Sequence, residues 1–177
     1  MATQKPEGAH LLTRRVLLAT AGVFGLGALW ARLRLPDLGE AHAADGETFE
    51  IAHTDEEWHA LLTSQQYRVL RAEGTEFSFS SPLDHEKRPG IYACAGCALD
   101  LFSSDTKYDS GTGWPSFWKP LPHAVNNRRD YSLGMARDEV HCRRCGGHLG
   151  HVFDDGPRPT GLRYCMNGVA LTFKPSA

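Results

Sequence analysis

Two pairs of cysteines with the same short spacing constrain the fold more than any other feature of the sequence. Cys94 and Cys97 form one C-x2-C pair, Cys142 and Cys145 form the other, and 44 residues lie between the pairs. Two intervening residues let both sulfurs of a turn face one ion, so four such thiolates can bind Zn²⁺ tetrahedrally at about 2.3 Å. The alternatives are two separate redox dithiols or disulfides. Four protein ligands leave no open position for water, so we expect one structural zinc ion per chain, joining hairpins distant in sequence.

The composition is that of one globular domain. The chain has 177 residues, of which 41% are hydrophobic and 23% charged, enough for one sizeable core. Its formal net charge of -2 gives no electrostatic basis for binding nucleic acid, which requires a strongly basic face. We interpret Arg128-Arg129 and Arg143-Arg144 as solvated surface, and we expect a monomer with no nucleic-acid partner.

The first 43 residues have the pattern of a targeting segment. Arg14-Arg15 precede an uncharged run, VLLATAGVFGLGALW, whose length is below the roughly twenty residues that a membrane span needs. Small residues at Ala41 and Ala43 follow, and this order resembles a twin-arginine secretion signal with an A-x-A cleavage site. We expect residues 1–43 to engage the twin-arginine export machinery and residues 44–177 to form a single periplasmic or otherwise exported domain. The alternative is an uncleaved N-terminal membrane anchor.

After this segment the sequence predicts two short helices and then short strands. Thr54–Glu57 and Thr63–Gln66 fit the capping-box pattern, and Gly74 is predicted to end the second helix. From Thr75 onward, short apolar or alternating runs separated by turn-forming residues predict antiparallel strands. These runs are EFSFS, GIYAC, YSLGMA, HVF and RYCMNGVALTF. We therefore expect a mainly β domain with short N-terminal helices.

The fifth cysteine, Cys165, lies outside both pairs. If LRYCMN is a strand, alternation places Arg163, Cys165 and Asn167 on one face. A guanidinium two residues from a thiol favours the thiolate, and an asparagine amide can donate to the thiolate or to an oxygen beside it. Cys165 is therefore a candidate nucleophile. Its alternative role is that of a small buried hydrophobic side chain.

Two further stretches could complete a site around this thiol. His148 and His151 are predicted to lie within one tight turn, and imidazoles are suited to proton transfer near neutral pH. A second metal site and ordinary surface histidines are the alternatives. Trp114 and Trp118 lie beside glycines and could either belong to the core or form an apolar wall for a small ligand group.

Taken together, these motifs resemble the B-type peptide methionine-R-sulfoxide reductases. The lead-in LTSQQYRVLRAEGTE, the two C-x2-C pairs, GTGWPSF, HLGHVFDDGP and PTGLRYCMN carry the resemblance across roughly residues 50 to 175. It implies a fold of two small antiparallel sheets, with zinc on the side away from the active site. It also implies an oxidoreductase that returns the R epimer of methionine sulfoxide, free or within proteins, to methionine.

The resemblance further implies a role for each matching residue. Cys165 would be the nucleophile that becomes a sulfenic acid, and His151, or His148 through water, would move a proton to the sulfoxide oxygen. The other implied roles are substrate binding by Trp114 and Phe153, an oxygen contact from Asn167, thiolate stabilisation by Arg163, and anchoring of Arg163 by Asp155.

Regeneration of the thiol is where this chain departs from many members of that family. Those members have a second, resolving cysteine at the position that Thr112 occupies here. With the paired cysteines committed to metal, we expect an external reductant, either a thioredoxin-like partner or a small thiol. The alternatives to the whole function are a peroxide-reducing or redox-sensing thiol protein and a non-catalytic zinc-binding module.

Overall fold

A computed structural model describes residues 47–132 and 134–176, so the predicted signal at residues 1–43 lies outside the described residues. Within the described ranges, no helix is both long enough and apolar enough to cross a membrane. The helices are α1 (Asp55–Leu61) and α2 (Ser64–Leu70), and the strands are β1 (Gly90–Cys94), β2 (Asp100–Ser103), β3 (Lys107–Tyr108), β4 (Ser116–Phe117), β5 (Val125–Asp130), β6 (Arg137–Cys142), β7 (His148–Phe153), β8 (Arg163–Met166) and β9 (Leu171–Pro175).

The strands form two antiparallel sheets. The smaller sheet has the order β2-β1-β9, and the larger has the order β3-β4-β8-β7-β6-β5. Each strand pairing within them is antiparallel. The predicted mainly β fold, with two sheets and short N-terminal helices, is confirmed.

Aromatic side chains from both sheets form the centre of the core. Phe102 of β2 stacks on Phe117 of β4 with ring centroids 4.4 Å apart, and Tyr92 of β1 meets Phe117 edge-on at 5.0 Å. All three rings are fully buried. Burial of such side chains stabilises the fold by about 1.5–3 kcal/mol each, so this contact holds the two sheets together.

The two helices begin as predicted. Thr54 Oγ1 accepts a hydrogen bond from the Glu57 amide at 3.3 Å, and the Thr54 amide donates to the Glu57 carboxylate at 2.8 Å. Thr63 and Gln66 make the same reciprocal pair at the start of α2. Both capping boxes are therefore confirmed.

The end of α2 differs from the prediction. The helix ends at Leu70, four residues before Gly74. Glu73, with φ 53°, adopts the left-handed conformation that the sequence assigned to glycine, and the Gly74 amide then donates to the Arg68 carbonyl at 2.8 Å. The left-handed residue Glu73 and the hydrogen bond from Gly74 to Arg68 thus end α2. Glycine is not needed here to supply a positive φ.

Two of the predicted strands are loops. In EFSFS, Phe77 and Phe79 are 82% and 65% exposed and Phe79 has φ 61°, so the alternation of the sequence does not correspond to a buried face. YSLGMA lies between β5 and β6, whose last pair is Asp130 with Arg137. Tyr131 and Met135 in this connection are exposed. Their apolar character therefore does not indicate a strand.

The four paired cysteines lie at the turns of two hairpins, one from each sheet. Cys94 ends β1 and Cys97 precedes β2, whereas Cys142 ends β6 and Cys145 precedes β7. Their four sulfurs lie within 4.8 Å of one another. We call these residues the four-cysteine cluster. The cluster lies where the β1–β2 turn of the smaller sheet meets the β6–β7 turn of the larger sheet.

A glycine lies within or directly after each C-x2-C pair, and one of these two positions requires it. Gly146 has φ 68°, and a Cβ there would lie 2.4 Å from the Phe49 ring. At Gly96 the nearest atom to such a Cβ is 3.6 Å away, and Ala98 takes the left-handed conformation instead, with φ 58°. Only the turn at the second pair of cysteines therefore depends on glycine for its backbone conformation.

Candidate active site

Strand register brings Cys165 opposite His151. In β8, Tyr164 and Met166 are buried in the core while Arg163 and Cys165 are partly exposed, which is the alternation that the sequence predicts. Cys165 pairs with His151 on β7 and with Ser116 on β4. Directly opposed residues of antiparallel strands project from the same face, with Cβ atoms about 5 Å apart. The imidazole and the thiol therefore share one face of the larger sheet.

Gly150 makes the close approach of β8 possible. A Cβ at this position would lie 2.1 Å from the Cys165 carbonyl oxygen and 3.0 Å from the Met166 Cα. Real Cβ atoms do not approach backbone so closely, so any side chain here would push β8, and Cys165 with it, away from His151.

A small cavity opens on this face. Its volume is about 150 Å³, which is below the range of about 300–1,000 Å³ typical for drug-sized ligands and suits the end of a single side chain. Its lining residues, which define the thiol cavity, are Thr75, Trp114, Arg137, Gly150, His151, Phe153, Cys165 and Asn167. Five of the site residues predicted from the sequence thus line one cavity, whereas Trp118 does not line it.

The thiol itself is held mainly in its neutral form. Burial raises the pKa of Cys165 above the ordinary thiol value, and a contact with the Thr112 hydroxyl and the nearby Arg163 guanidinium oppose this rise without cancelling it. Arg163 thus acts on the thiol in the predicted direction, towards the thiolate, but the desolvation of the buried sulfur is the larger effect.

Three hydroxyls surround the far side of the sulfur. Ser110 Oγ lies 2.8 Å from Thr112 Oγ1 and 2.7 Å from Ser116 Oγ, and Thr112 Oγ1 lies 3.9 Å from the Cys165 sulfur. No signal in the sequence marks Ser110 or Ser116, since Ser116 comes near residue 165 only through strand pairing and Ser110 through its contact with Ser116. These hydroxyls can donate to sulfur whether it is a thiolate or carries an oxygen.

Arg163 is fixed by two contacts. Its Nε and one terminal nitrogen each donate to an oxygen of Asp155 at 2.8 Å, and its guanidinium lies over the Phe153 ring at 4.4 Å from the centroid. The Arg163 charge in turn holds the pKa of Asp155 below its usual value. Bidentate pairing and stacking leave the guanidinium little freedom, so it stays beside Cys165.

His151 is oriented by a carboxylate that the sequence did not indicate. Asp130 Oδ2 lies 2.8 Å from His151 Nε2 and 2.5 Å from a terminal nitrogen of Arg137. Hydrogen bonds from the Ser132 amide first, and then from His151, hold the pKa of Asp130 well below its usual range. Burial lowers the pKa of His151, although its bond to Asp130 acts in the opposite direction. Since Nε2 is engaged with Asp130, Nδ1 is the nitrogen available for proton exchange.

His148 and His151 both lie in β7, not within the tight turn predicted for them. Val140 pairs with Gly150 and His141 with His148, so Leu149 is an extra residue in β7. This bulge shifts the side-chain alternation by one residue, which is why two histidines three positions apart come within 5.4 Å, centroid to centroid.

The imidazole of His148 is tied to a buried carboxylate. Its Nδ1 lies 2.7 Å from Glu139 Oε1, and the other carboxylate oxygen accepts from Arg128 Nε. Among the described residues His148 Nε2 has no hydrogen-bond partner. Although burial raises the pKa of Glu139, His148 and Arg128 more than offset this, so the pKa of the carboxyl lies below its usual value.

A second cavity of about 130 Å³ lies between the two histidines and their carboxylates. It shares Thr75, Arg137 and His151 with the thiol cavity. Its polar walls can hold water, which needs two to four polar partners, and water there could connect His148 with His151. The pairing of β5, β6 and β7 that places Asp130, Glu139 and Arg137 here leaves no motif in the sequence.

The four-cysteine cluster fits a tetrahedral metal ion. A zinc ion with bonds of about 2.3 Å requires sulfurs about 3.8 Å apart. The Cys94 and Cys145 sulfurs are 3.8 Å apart, and those of Cys97 and Cys142 are 3.5 Å apart. All four cysteines are free thiols, with Cys97 the one that is partly exposed. The cluster therefore offers one shared site for a metal ion.

A lone thiol in a small cavity, set against an oriented imidazole and apart from the four-cysteine cluster, defines a thiol-dependent oxidoreductase. The family model described as "SelR domain" matches residues 62–175. "Peptide methionine sulfoxide reductase MsrB" of Leptospira interrogans serogroup Icterohaemorrhagiae serovar Lai is 54% identical over 127 residues, covering 71% of this chain and 97% of that protein. The chain belongs to the MsrB family.

Other relatives of the same name agree. The Pseudomonas putida protein is 55% identical over 127 residues, with 71% of this chain and 96% of that protein covered. The Methanosarcina barkeri protein is 54% identical over 125 residues, with 70% of this chain and 88% of that protein covered.

Proposed function

We propose that this protein reduces the R epimer of methionine sulfoxide to methionine through Cys165. The observation that carries the proposal is the register of β7 and β8, which sets the Cys165 thiol opposite His151 at the base of a cavity walled by Trp114 and Phe153. A cavity of this size, apolar at one side and polar at the other, suits a methyl group and a sulfoxide oxygen on the same sulfur.

The first half-reaction balances within the cavity. The Cys165 sulfur attacks the sulfoxide sulfur, and the oxygen is transferred to the cysteine, which becomes a sulfenic acid as methionine leaves. Two electrons pass from the cysteine sulfur to the substrate sulfur. The thiol proton ends on the transferred oxygen, so a neutral resting thiol supplies the proton that the oxygen needs. The raised pKa of Cys165 therefore suits this step.

His151 is the residue placed to carry that proton. It faces Cys165 across the strand pair, and Asp130 holds its Nε2 at 2.8 Å. Nδ1 can then take the thiol proton and deliver it to the sulfoxide oxygen. His148, bound to Glu139, acts through water in the second cavity. General acid–base assistance of this kind contributes typically about 10²–10⁴-fold to a rate.

The remaining cavity residues orient the substrate and the developing charge. Trp114 and Phe153 hold the methyl side of the sulfoxide, and Asn167 lies near its oxygen. Arg163, anchored by Asp155, stabilises negative charge that appears on the Cys165 sulfur as its proton leaves. Arg163 and Asn167 thus act more strongly on the transition state than on the bound substrate, whereas the apolar contacts to the methyl group bind both.

Recycling uses an external thiol. Thr112, not a cysteine, lies 3.9 Å from the Cys165 sulfur. A first external thiol condenses with the sulfenic acid, giving a mixed disulfide and water, and a second thiol releases Cys165 by exchange. A thioredoxin-like protein supplies both thiols in one molecule, whereas a small thiol must react twice.

The four-cysteine cluster would hold a zinc ion in a structural role. Four thiolates complete the tetrahedral shell and leave no position for water or substrate. When bound, the ion supplies cross-linking between the two hairpins, and the reaction proceeds without it as a reactant.

Steady-state turnover tests this function against its alternatives. Residues 44–177 should be assayed with dithiothreitol and the R and S epimers of dabsyl-methionine sulfoxide, with hydrogen peroxide in parallel. The proposal requires turnover of the R epimer well above both other substrates. Equal or faster peroxide reduction would instead indicate a peroxide-reducing thiol protein, and no turnover of any substrate would indicate a zinc-binding module.

The export route forms a separate part of the proposal. Arg14-Arg15, the apolar run and the small residues at Ala41 and Ala43 support twin-arginine export to the periplasm, with a membrane-anchored form if the signal is retained. Replacing both arginines by lysine should leave the protein in the cytoplasm. An unchanged distribution on cell fractionation would reject this route.

A further inference from the structure

Glu76 contacts both the tryptophan and the asparagine of the thiol cavity. Its backbone amide donates to Asn167 Oδ1 at 2.9 Å, and its backbone carbonyl accepts from Trp114 Nε1 at 3.2 Å. The residue itself lies outside the lining of that cavity. The backbone of one residue thus connects Asn167, which directly follows β8, with Trp114 of the β3–β4 loop, 53 positions apart in the chain.

These bonds fix how the two side chains face the cavity. With Asn167 Oδ1 engaged by Glu76, the amide group presents Nδ2, one hydrogen of which bonds the Leu149 carbonyl at 3.1 Å. The second hydrogen of Nδ2 remains to donate to an oxygen in the cavity. The indole plane of Trp114 is fixed at its nitrogen in the same way. Glu76 therefore fixes the position of the Asn167 amide, which contacts the oxygen, relative to the Trp114 indole, which contacts the methyl group.

The carboxylate of Glu76 holds its backbone in place. It accepts from the amides of Gly168 and Val169, the latter at 3.0 Å, and these residues directly follow Asn167. The side chain is partly buried, so little water competes for these bonds. Hydrogen bonds to a charged group are roughly twice as strong as those between neutral groups.

The turn that receives the carboxylate has no room to shift. A Cβ at Gly168 would lie 1.9 Å from Ser81 Oγ, so the turn is packed directly against that side chain. Since Ser81 also accepts from the Leu83 amide, it is itself held in place. Glu76 is thereby clamped between a rigid turn and the indole.

We propose that Glu76 is a positioning residue that sets the epimer selectivity of the enzyme by holding Trp114 and Asn167 in register. The inference rests on the proposed function. The two epimers of a sulfoxide exchange the places of oxygen and lone pair while sulfur and methyl stay fixed. Discrimination between the epimers therefore depends on the position of the Trp114 indole relative to the Asn167 amide. Glu76 fixes this relative position.

The test compares Glu76→Ala with a matched control, Glu57→Ala. Glu57 also accepts from a backbone amide, at the start of α1, but it contacts no residue of the thiol cavity. For both variants kcat and KM are measured on the R and S epimers of dabsyl-methionine sulfoxide. Because misplacement by about 1 Å can cost about 100-fold, we expect Glu76→Ala to lose at least about tenfold in the R-to-S ratio of kcat/KM. The control should keep the ratio of the wild type.

A second readout separates positioning from loss of structure. Alkylation of Cys165 by iodoacetamide should keep its wild-type rate in Glu76→Ala, because neither Arg163 nor Thr112 contacts Glu76. Glu76→Gln, which keeps an acceptor oxygen, provides a folded variant if the alanine variant does not fold, and its ratio should lie between the other two. An unchanged epimer ratio in both Glu76 variants would overturn the inference. A wild-type enzyme without turnover of the R epimer would overturn the proposed function instead.

Discussion

Asp130 and His151 are joined by a 2.8 Å hydrogen bond between a carboxylate oxygen and Nε2, although 20 residues separate them in the chain. The bond depends on the hairpin of β5 and β6, which carries Asp130 to the edge of β7. It gives the imidazole one defined orientation, in which Nδ1 is free to exchange a proton.

Replacing Asp130 by asparagine should therefore slow catalysis. We expect kcat to fall by about 100-fold, within the range of general acid–base contributions. Because the bond to Asp130 raises the pKa of His151 against the effect of burial, its loss should lower that pKa further. Turnover assays and an NMR titration of the imidazole measure the two effects. Asp138→Asn, which removes an exposed carboxylate paired with Arg129 on the same hairpin, is the control; a rise in the His151 pKa would contradict this account.

The reactivity of Cys165 should increase with pH through a midpoint above that of an ordinary thiol. Burial disfavours the charged form and raises the pKa, while Arg163 opposes the rise, so Arg163→Gln should move the midpoint further upward. This midpoint is measured from the rate of iodoacetamide alkylation as a function of pH. Arg158→Gln, in the exposed loop before β8, should leave the midpoint unchanged. An unchanged midpoint in Arg163→Gln would show that the guanidinium does not act on the sulfur, and a downward shift would contradict the predicted direction.

Cys165→Ser should abolish turnover while the fold and the metal content remain. The sulfur lies in the thiol cavity and is not a member of the four-cysteine cluster. Turnover, circular dichroism and metal analysis on the same sample provide the check. Residual activity within about tenfold of the wild type would require another nucleophile, since removing the attacking atom leaves only binding effects.

Cys94→Ser and Cys145→Ser should have the reverse effect. Each removes one ligand of the cluster, and structural zinc contributes on the order of 10 kcal/mol to folding, which is comparable to the whole stability of a domain. We expect loss of zinc and of the cooperative thermal transition, with one zinc per chain in the wild type. Wild-type protein that holds well under one zinc per chain and still melts cooperatively would disprove the structural role.

Oxidation by one equivalent of sulfoxide, without reductant, should leave a sulfenic acid on Cys165 that a dimedone trap captures as one adduct. No cysteine outside the four-cysteine cluster is available to resolve it. Thr112→Cys should instead give an internal disulfide with Cys165, because the hydroxyl it replaces lies 3.9 Å from that sulfur and rotation can close the gap. Intact mass spectrometry distinguishes the two products. A disulfide between Cys165 and a cluster cysteine, with zinc released, would show that the metal site takes part in recycling.

Local signals in the sequence predicted local features well. The capping boxes of α1 and α2 and the alternation in β8 follow from spacings of two or three residues, and all three are present. The same kind of signal failed for EFSFS, whose exposed Phe77 and Phe79 show that period-two alternation also occurs in loops.

Features that depend on strand pairing could not be read in this way. β5 and β6, with sequences VNNRRD and RDEVHC, are rich in charge and lack the apolar alternation of a predicted strand. Their pairing nevertheless places Asp130 and Glu139 beside the two histidines. The bulge at Leu149 likewise has no signature in HLGH, because it exists only relative to the partner strand. Residues that orient the imidazoles were therefore missed, while the imidazoles themselves were found.

β7 begins three residues after Cys145 and carries His148, His151 and Phe153 along its length. Loss of the proposed zinc ion would therefore remove the anchor at the start of the strand that holds both imidazoles. The fraction of competent enzyme molecules in a purified batch should then follow the fraction that retains the ion. Turnover numbers should accordingly be normalised to bound zinc and not to total protein.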